Sequence, residues 1–97
     1  MPDVTWTWDS EKADTNRSKH GVSFETAALI FDDPFLLSDL DPYEAEVRWR
    51  TLGMVLGVLL FVVHTEPRQE TGSTALVGRI VSARKATRTE RRGYHNG

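Results

Sequence analysis

The chain has 97 residues, 39% hydrophobic and 27% charged, the proportions of one small globular domain rather than of a disordered or multidomain protein. It contains no cysteine, which excludes a disulfide framework, a thiol nucleophile and a thiolate metal site. The net charge of −2 conceals a polarity, because residues 1–47 hold eleven acids against Lys12, Arg17 and Lys19, whereas residues 48–97 hold nine bases against Glu66, Glu70 and Glu90.

An arginine-led basic half points to phosphate or to an acidic partner, or else to a solvated helix face that balances the acidic half. The opening MPDVTWTWDSEK has neither the basic start nor the apolar stretch of a secretory signal. The longest apolar run, Val58 to Val63, is too short for a bilayer. A cytoplasmic domain with no membrane attachment is expected over 1–97.

Val4 to Trp8 alternates apolar and hydroxyl side chains and predicts a half-buried strand. Asp9 or Ser10 offers an N-cap, Glu11 suits the first turn, and Gly21 stops the helix after Lys19 and His20. Ser23 caps a second helix, in which Phe24, Ala27, Ala28 and Phe31 share one face and which Pro34 ends. Lys19, His20 and Glu25 are read first as fixing the turn between the two helices.

The rest reads as strands: Phe35 to Leu40, Val47 to Leu52 ending at Gly53, a central apolar strand over 57–65, and Ala75 to Ala83. Pro67 to Ser73 reads as a turn, and Ala86 to Tyr94 as a basic terminal helix. Short spacings favour antiparallel neighbours. The predicted fold is α+β: an N-terminal strand and two helices, then an antiparallel meander and a C-terminal helix.

Arg48 and Arg50 are two apart, so a regular strand puts both on one face and Trp49 on the other. Together they form a phosphate clamp, or they pair across strands with Glu44 or Glu46. His64, at the end of the central strand, suits a general acid or base near neutral pH, or a satisfied structural histidine. Arg79 and Arg84 are five apart, and regular parity sends them to opposite faces unless a bulge intervenes. Lys85, Arg88, Arg91 and Arg92 give a basic helical end suited to an RNA backbone. His20, His64 and His95 lack a metal-ligand spacing, so no metal site and no cofactor is expected.

Trp8-Asp9, then Lys12, Asn16 and Lys19-His20-Gly21-Val22-Ser23-Phe24-Glu25, with Ala28 and Phe31, resembles the opening of the BrnT toxin family. Val62-Val63-His64-Thr65-Glu66, Arg79-Ile80-Val81-Ser82-Ala83-Arg84-Lys85-Ala86 and Glu90-Arg91 with Tyr94 are similar to that family's second half. The resemblance implies a RelE-like ribonuclease toxin of a type II toxin–antitoxin pair. It also implies a ribbon-helix-helix antitoxin, a heterotetramer of the two, and contact with operator DNA only through that complex.

The family usually carries an acid immediately before the arginine matched to Arg48, where this chain has Val47; Glu46 is the substitute, on the opposite strand phase. The catalytic set expected from arginines and resemblance together is Arg48, His64, Arg79, Arg84 and Glu46. Arg50, Lys85, Arg88 and Arg91 are expected to bind RNA, and Trp49 and Lys19 to face the antitoxin. Trp6 and Trp8 are read as core or antitoxin-facing. The competing reading is a non-catalytic module that docks nucleic acid or an acidic partner on its basic face.

Overall fold

The computed structural model describes residues 3–96, so Met1, Pro2 and Gly97 of the expected 1–97 domain lie outside it. Strand β1 (Val4–Thr7) leads to α1 (Ser10–His20) and α2 (Phe24–Ala28), which continues as a 3₁₀ turn over Leu29–Asp32. Then follow β2 (Leu37–Leu40), β3 (Arg48–Val55), β4 (Val58–Thr65), β5 (Arg68–Gln69), β6 (Leu76–Lys85) and α3 (Arg88–Asn96). The strands form one mixed sheet in the order β1-β6-β4-β3-β2, with β5 also on β6. The β2–β3, β3–β4 and β4–β6 pairs are antiparallel, as the short connections predict, whereas β1 runs parallel to β6.

Local chemistry sets the element ends. Asp9 accepts the Lys12 amide at 3.0 Å and starts α1, and Gly21, at φ 70°, ends it in the left-handed conformation. Ser23 accepts the Thr26 amide at 3.1 Å to start α2. Strand β3 does not stop at Gly53 but runs on to Val55. At Gly53 a Cβ would collide with the Ile30 side chain, so the missing side chain there admits close packing of the 3₁₀ turn on the sheet. The predicted turn over Pro67–Ser73 contains the short strand β5, whose Arg68 and Gln69 pair with Val77 and Leu76.

Helices α1 and α2 and the 3₁₀ turn cover one sheet face. Phe24, Ala27 and Ile30 meet Val55, Leu60, Val62, Ile80 and Ala83 in a closed core, with Trp6, Trp8 and Phe31 packed at its margin. Asn16 is buried beside them and links α1 to the connection before α2 and to β6. Its amide donates to the Val22 carbonyl at 3.0 Å and the Ala83 carbonyl at 2.8 Å, and its oxygen accepts the Ala83 amide at 3.1 Å.

The β4–β6 ladder is interrupted at Val63/His64: Val63 pairs with Ser82, but His64 pairs with Ile80. Val81 is therefore an extra residue, and it shifts side-chain parity along β6 by one. Ile80 and Ala83, three apart, both face the helices and are 2% and 1% exposed. Arg79 and Arg84 consequently share the opposite face, which regular alternation would have denied them.

No described helix is long and apolar enough to cross a membrane.

Candidate functional site

The face away from α1 and α2 carries Arg48 and Arg50 from β3, Thr65 from β4 and Arg79 from β6, through the pairing of Arg48 with Thr65 and the bulge beside it. Glu46, just before β3, reaches the same spot. Its Oε2 accepts from Arg48 Nε at 2.9 Å, while Arg79 Nη2 donates to its two oxygens at 3.0 and 2.7 Å. The carboxylate thus lies between two arginines whose side chains stay 17% and 43% exposed.

Hydrogen bonding from Arg48 holds the Glu46 carboxyl below the ordinary carboxylate range; desolvation opposes this, and the charge of Arg79 adds to it. Thr65 Oγ1 accepts the Arg79 amide at 2.9 Å and so fixes the backbone that carries that arginine. Beside the triad opens a depression of about 460 Å³ whose lining includes Thr7, Glu46, Thr65, Arg68 and Arg79.

The structure does not bring all the expected catalytic residues to this opening. His64 faces the helix side, is 5% exposed, and lies edge-on to the rings of Trp6 and Phe31. Its Nδ1 donates to the Thr65 carbonyl at 3.0 Å, which leaves Nε2 to accept the Thr51 hydroxyl at 2.6 Å. Desolvation pushes its pKa below the usual value, so the ring is held neutral by burial rather than poised for exchange with substrate.

Arg84 shares the face of Arg79 but lies about 16 Å further along β6 at the usual rise per residue. Its guanidinium sits over the Phe61 ring, 4.1 Å from the centroid, and makes a two-pronged bridge to Glu90 at 2.7 and 2.9 Å. Those hydrogen bonds raise Arg84 above its ordinary value and pull Glu90 down to about 2.

Arg50 stands two residues from Arg48, 3.8 Å from the Asp41 carboxylate. Lys85 pairs with Leu60 and belongs to the helix side, away from the triad. On α3, Glu90 and Tyr94 turn inward to Arg84 and Asp33, which leaves Arg88 and Arg91 exposed. Lys19 is exposed near the end of α1, and Trp49 is half-buried opposite His64. Among the described residues no three His, Asp or Glu side chains gather as a metal site would need.

The sequence model of a family described as "Ribonuclease toxin, BrnT, of type II toxin-antitoxin system" matches residues 8–90. The chain belongs to this BrnT family. A search of curated proteins finds no match to it. Membership implies a ribonuclease toxin and an antitoxin that partners it. The BrnT match spans Asn16, the Glu46–Arg48 pair and the whole of β6, so the elements that assemble the triad lie inside it.

Two residues at the site carry little signal in the sequence: Thr65, and Tyr43, whose ring lies under the Arg48 guanidinium. Thr65 was overshadowed by His64, although a hydroxyl beside a strand end is a usable acceptor for an orphaned amide. Tyr43 lies in a polar stretch with no periodicity, and its only signal is an aromatic two residues from Asp41 beside a proline.

Proposed function

We propose that the triad Glu46, Arg48 and Arg79 is the catalytic site of a metal-independent endoribonuclease with a single RelE-like domain over 1–97, acting in the cytoplasm to inhibit translation. The observation that carries this is the Glu46 carboxylate between two partly exposed arginine side chains. RNA supplies its own nucleophile, the 2′-OH. Glu46, kept ionised by Arg48 and Arg79, takes the hydroxyl proton as the oxygen attacks the adjacent phosphate. The two arginines then turn to the phosphorane, whose extra negative charge exceeds what the carboxylate offered them. Water in the open depression protonates the leaving 5′-oxygen.

In this reading His64 and Arg84 are positioning residues. His64 braces the strand end that carries Thr65, and Arg84 anchors α3. Arg50 and the exposed Arg88 and Arg91 supply the field for the RNA backbone, while Lys85 lies on the other side. Trp49 and Lys19 remain the residues offered to a ribbon-helix-helix antitoxin, in a heterotetramer that meets operator DNA through the antitoxin.

The test is incubation of the antitoxin-free protein with total RNA in EDTA, beside Arg48→Ala and Arg79→Ala. Wild-type cleavage should persist in EDTA, and each variant should lose about 10²–10³-fold in rate, the usual cost of removing a donor to a developing oxyanion. Full activity in both variants overturns the assignment. Salt-sensitive RNA binding without product would favour the non-catalytic module.

A further inference from the structure

Tyr43 is placed with more care than a loop aromatic needs. The Asp41 amide donates to the Arg48 carbonyl at 2.7 Å, which ties the loop to the first residue of β3. The Tyr43 amide donates to the Asp41 carboxylate at 3.1 Å, a local turn stiffened by Pro42 between them. The same carboxylate reaches Arg50. The outcome is that the Arg48 guanidinium lies over the Tyr43 ring, 3.8 Å from its centroid, while Tyr43 stays 46% exposed.

Burial does not account for this arrangement, because the ring contributes nothing to the core. A ring backed by a cation on one face and open to solvent otherwise is a ready stacking surface. It carries two rotatable side-chain angles, and its backbone is already fixed, so little ordering remains to be done on binding. A flat π-system held beside a phosphate-binding arginine matches the repeating unit of single-stranded nucleic acid, in which an aromatic base accompanies each phosphate.

We propose that Tyr43 is a base-stacking subsite: the nucleobase next to the phosphate held by Arg48 and Arg79 stacks on the ring face turned away from Arg48. The proposal rests on the phosphate reading of the triad. It identifies the substrate as single-stranded RNA at that position, because a base paired within a duplex has no free face to offer. Sequence tolerance follows, since every base has a π-face.

The test uses a short 2′-O-methyl oligonucleotide with a central 2-aminopurine, in which the blocked 2′-oxygen prevents cleavage. Wild type and Tyr43→Phe should quench the fluorophore with similar affinity. Tyr43→Ala should weaken binding about 10-fold, within the range of one lost stack. Thermal unfolding of each variant confirms that it is folded.

On the matching unmodified RNA, Tyr43→Ala should raise KM about 10-fold with kcat nearly unchanged. Equal quenching and equal KM in wild type and Tyr43→Ala overturn the proposal, as does a fall in kcat at constant KM, which would make the ring only a prop for Arg48. Wild-type protein that neither binds nor quenches also overturns it. Tyrosine-dependent quenching by a wild type that leaves unmodified RNA intact supports the stacking and refutes the nuclease reading alone.

Discussion

His64 shows how one buried ring can link strand order to pH. With Nδ1 donating to Thr65 and Nε2 accepting from Thr51, the neutral ring is fully satisfied, and the Thr51 hydroxyl in turn meets Ser38 at 2.7 Å. Protonation would set a second N–H against that chain inside the core. The folded pKa therefore lies below the unfolded value of about 6.5. The unfolded chain binds the proton first, so this stabilisation is complete above about pH 6.5 and is lost as pH falls through the folded pKa. The urea midpoint should be lower at pH 5.5 than at pH 7.5, a window above the carboxylates, and His64→Gln should flatten that slope.

Glu46 belongs to the same scale. Glu46→Gln keeps the shape but removes the base and the ion pairs, so RNA cleavage should fall by about 10²–10⁴-fold, the span of general-base catalysis. Stability should change little, because the site is partly open and its ion pairs are screened by solvent. A large loss of stability with retained turnover would show that the carboxylate only braces the two arginines.

Among the elements, the β3–β4 hairpin is the least consistent with its own sequence. Its two-residue turn places Leu56 at φ 49° and Gly57 at φ 80°, the pair of positive angles that an Asn-Gly turn adopts readily. Leucine in that region is strained by about 1–2 kcal/mol, and Leu56 is 89% exposed, so packing does not offset the cost. Leu56→Asn should stabilise the protein by about 1 kcal/mol, measured by thermal or chemical denaturation.

Helix α3 is held by few contacts of high quality. Glu90 accepts the Thr87 amide at 2.8 Å, its own amide donates back to the Thr87 hydroxyl at 3.2 Å, and both its oxygens meet Arg84. Tyr94 donates to Asp33 at 2.6 Å at the other end. Because Arg84 pulls Glu90 to about 2, the anchoring is intact above the ordinary glutamate range and is lost as pH falls towards about 2. Glu90→Gln should raise amide exchange over Arg88–Asn96 while leaving the sheet amides protected.

At the scale of the whole molecule, the site depends on the β6 ladder absorbing one extra residue as a bulge. Val81 shifts the phase of β6 so that Arg79 faces Glu46 while Ile80 and Ala83 still reach the core. Deleting Val81 leaves Ile80 and Ala83 two apart and Arg79 and Arg84 four apart, so a regular ladder keeps both the core and the triad; the variant should fold and retain RNA cleavage, as circular dichroism beside the EDTA assay would show. The parallel pairing of β1 with β6 completes the arrangement. It brings Trp6 against Gly78, where the ring occupies the space a Cβ would take.

Much of this was determined by the sequence alone. Period-2 alternation, the Asp9, Gly21 and Ser23 caps and the Pro34 stop are local effects of backbone geometry, and they located the elements to within a few residues. The i, i+2 spacing of Arg48 and Arg50 put them on one face for the same reason, and the ordered motifs carried the family resemblance. Tertiary structure decided the rest: that Glu46 bridges Arg48 and Arg79, that Arg84 is drawn away to Glu90, that His64 turns inward, and that Tyr43 lies under Arg48. A bulge, a parallel edge and the cover over a strand end arise from cross-strand register and competition for burial, which join residues far apart in the chain and leave no periodicity in any one segment.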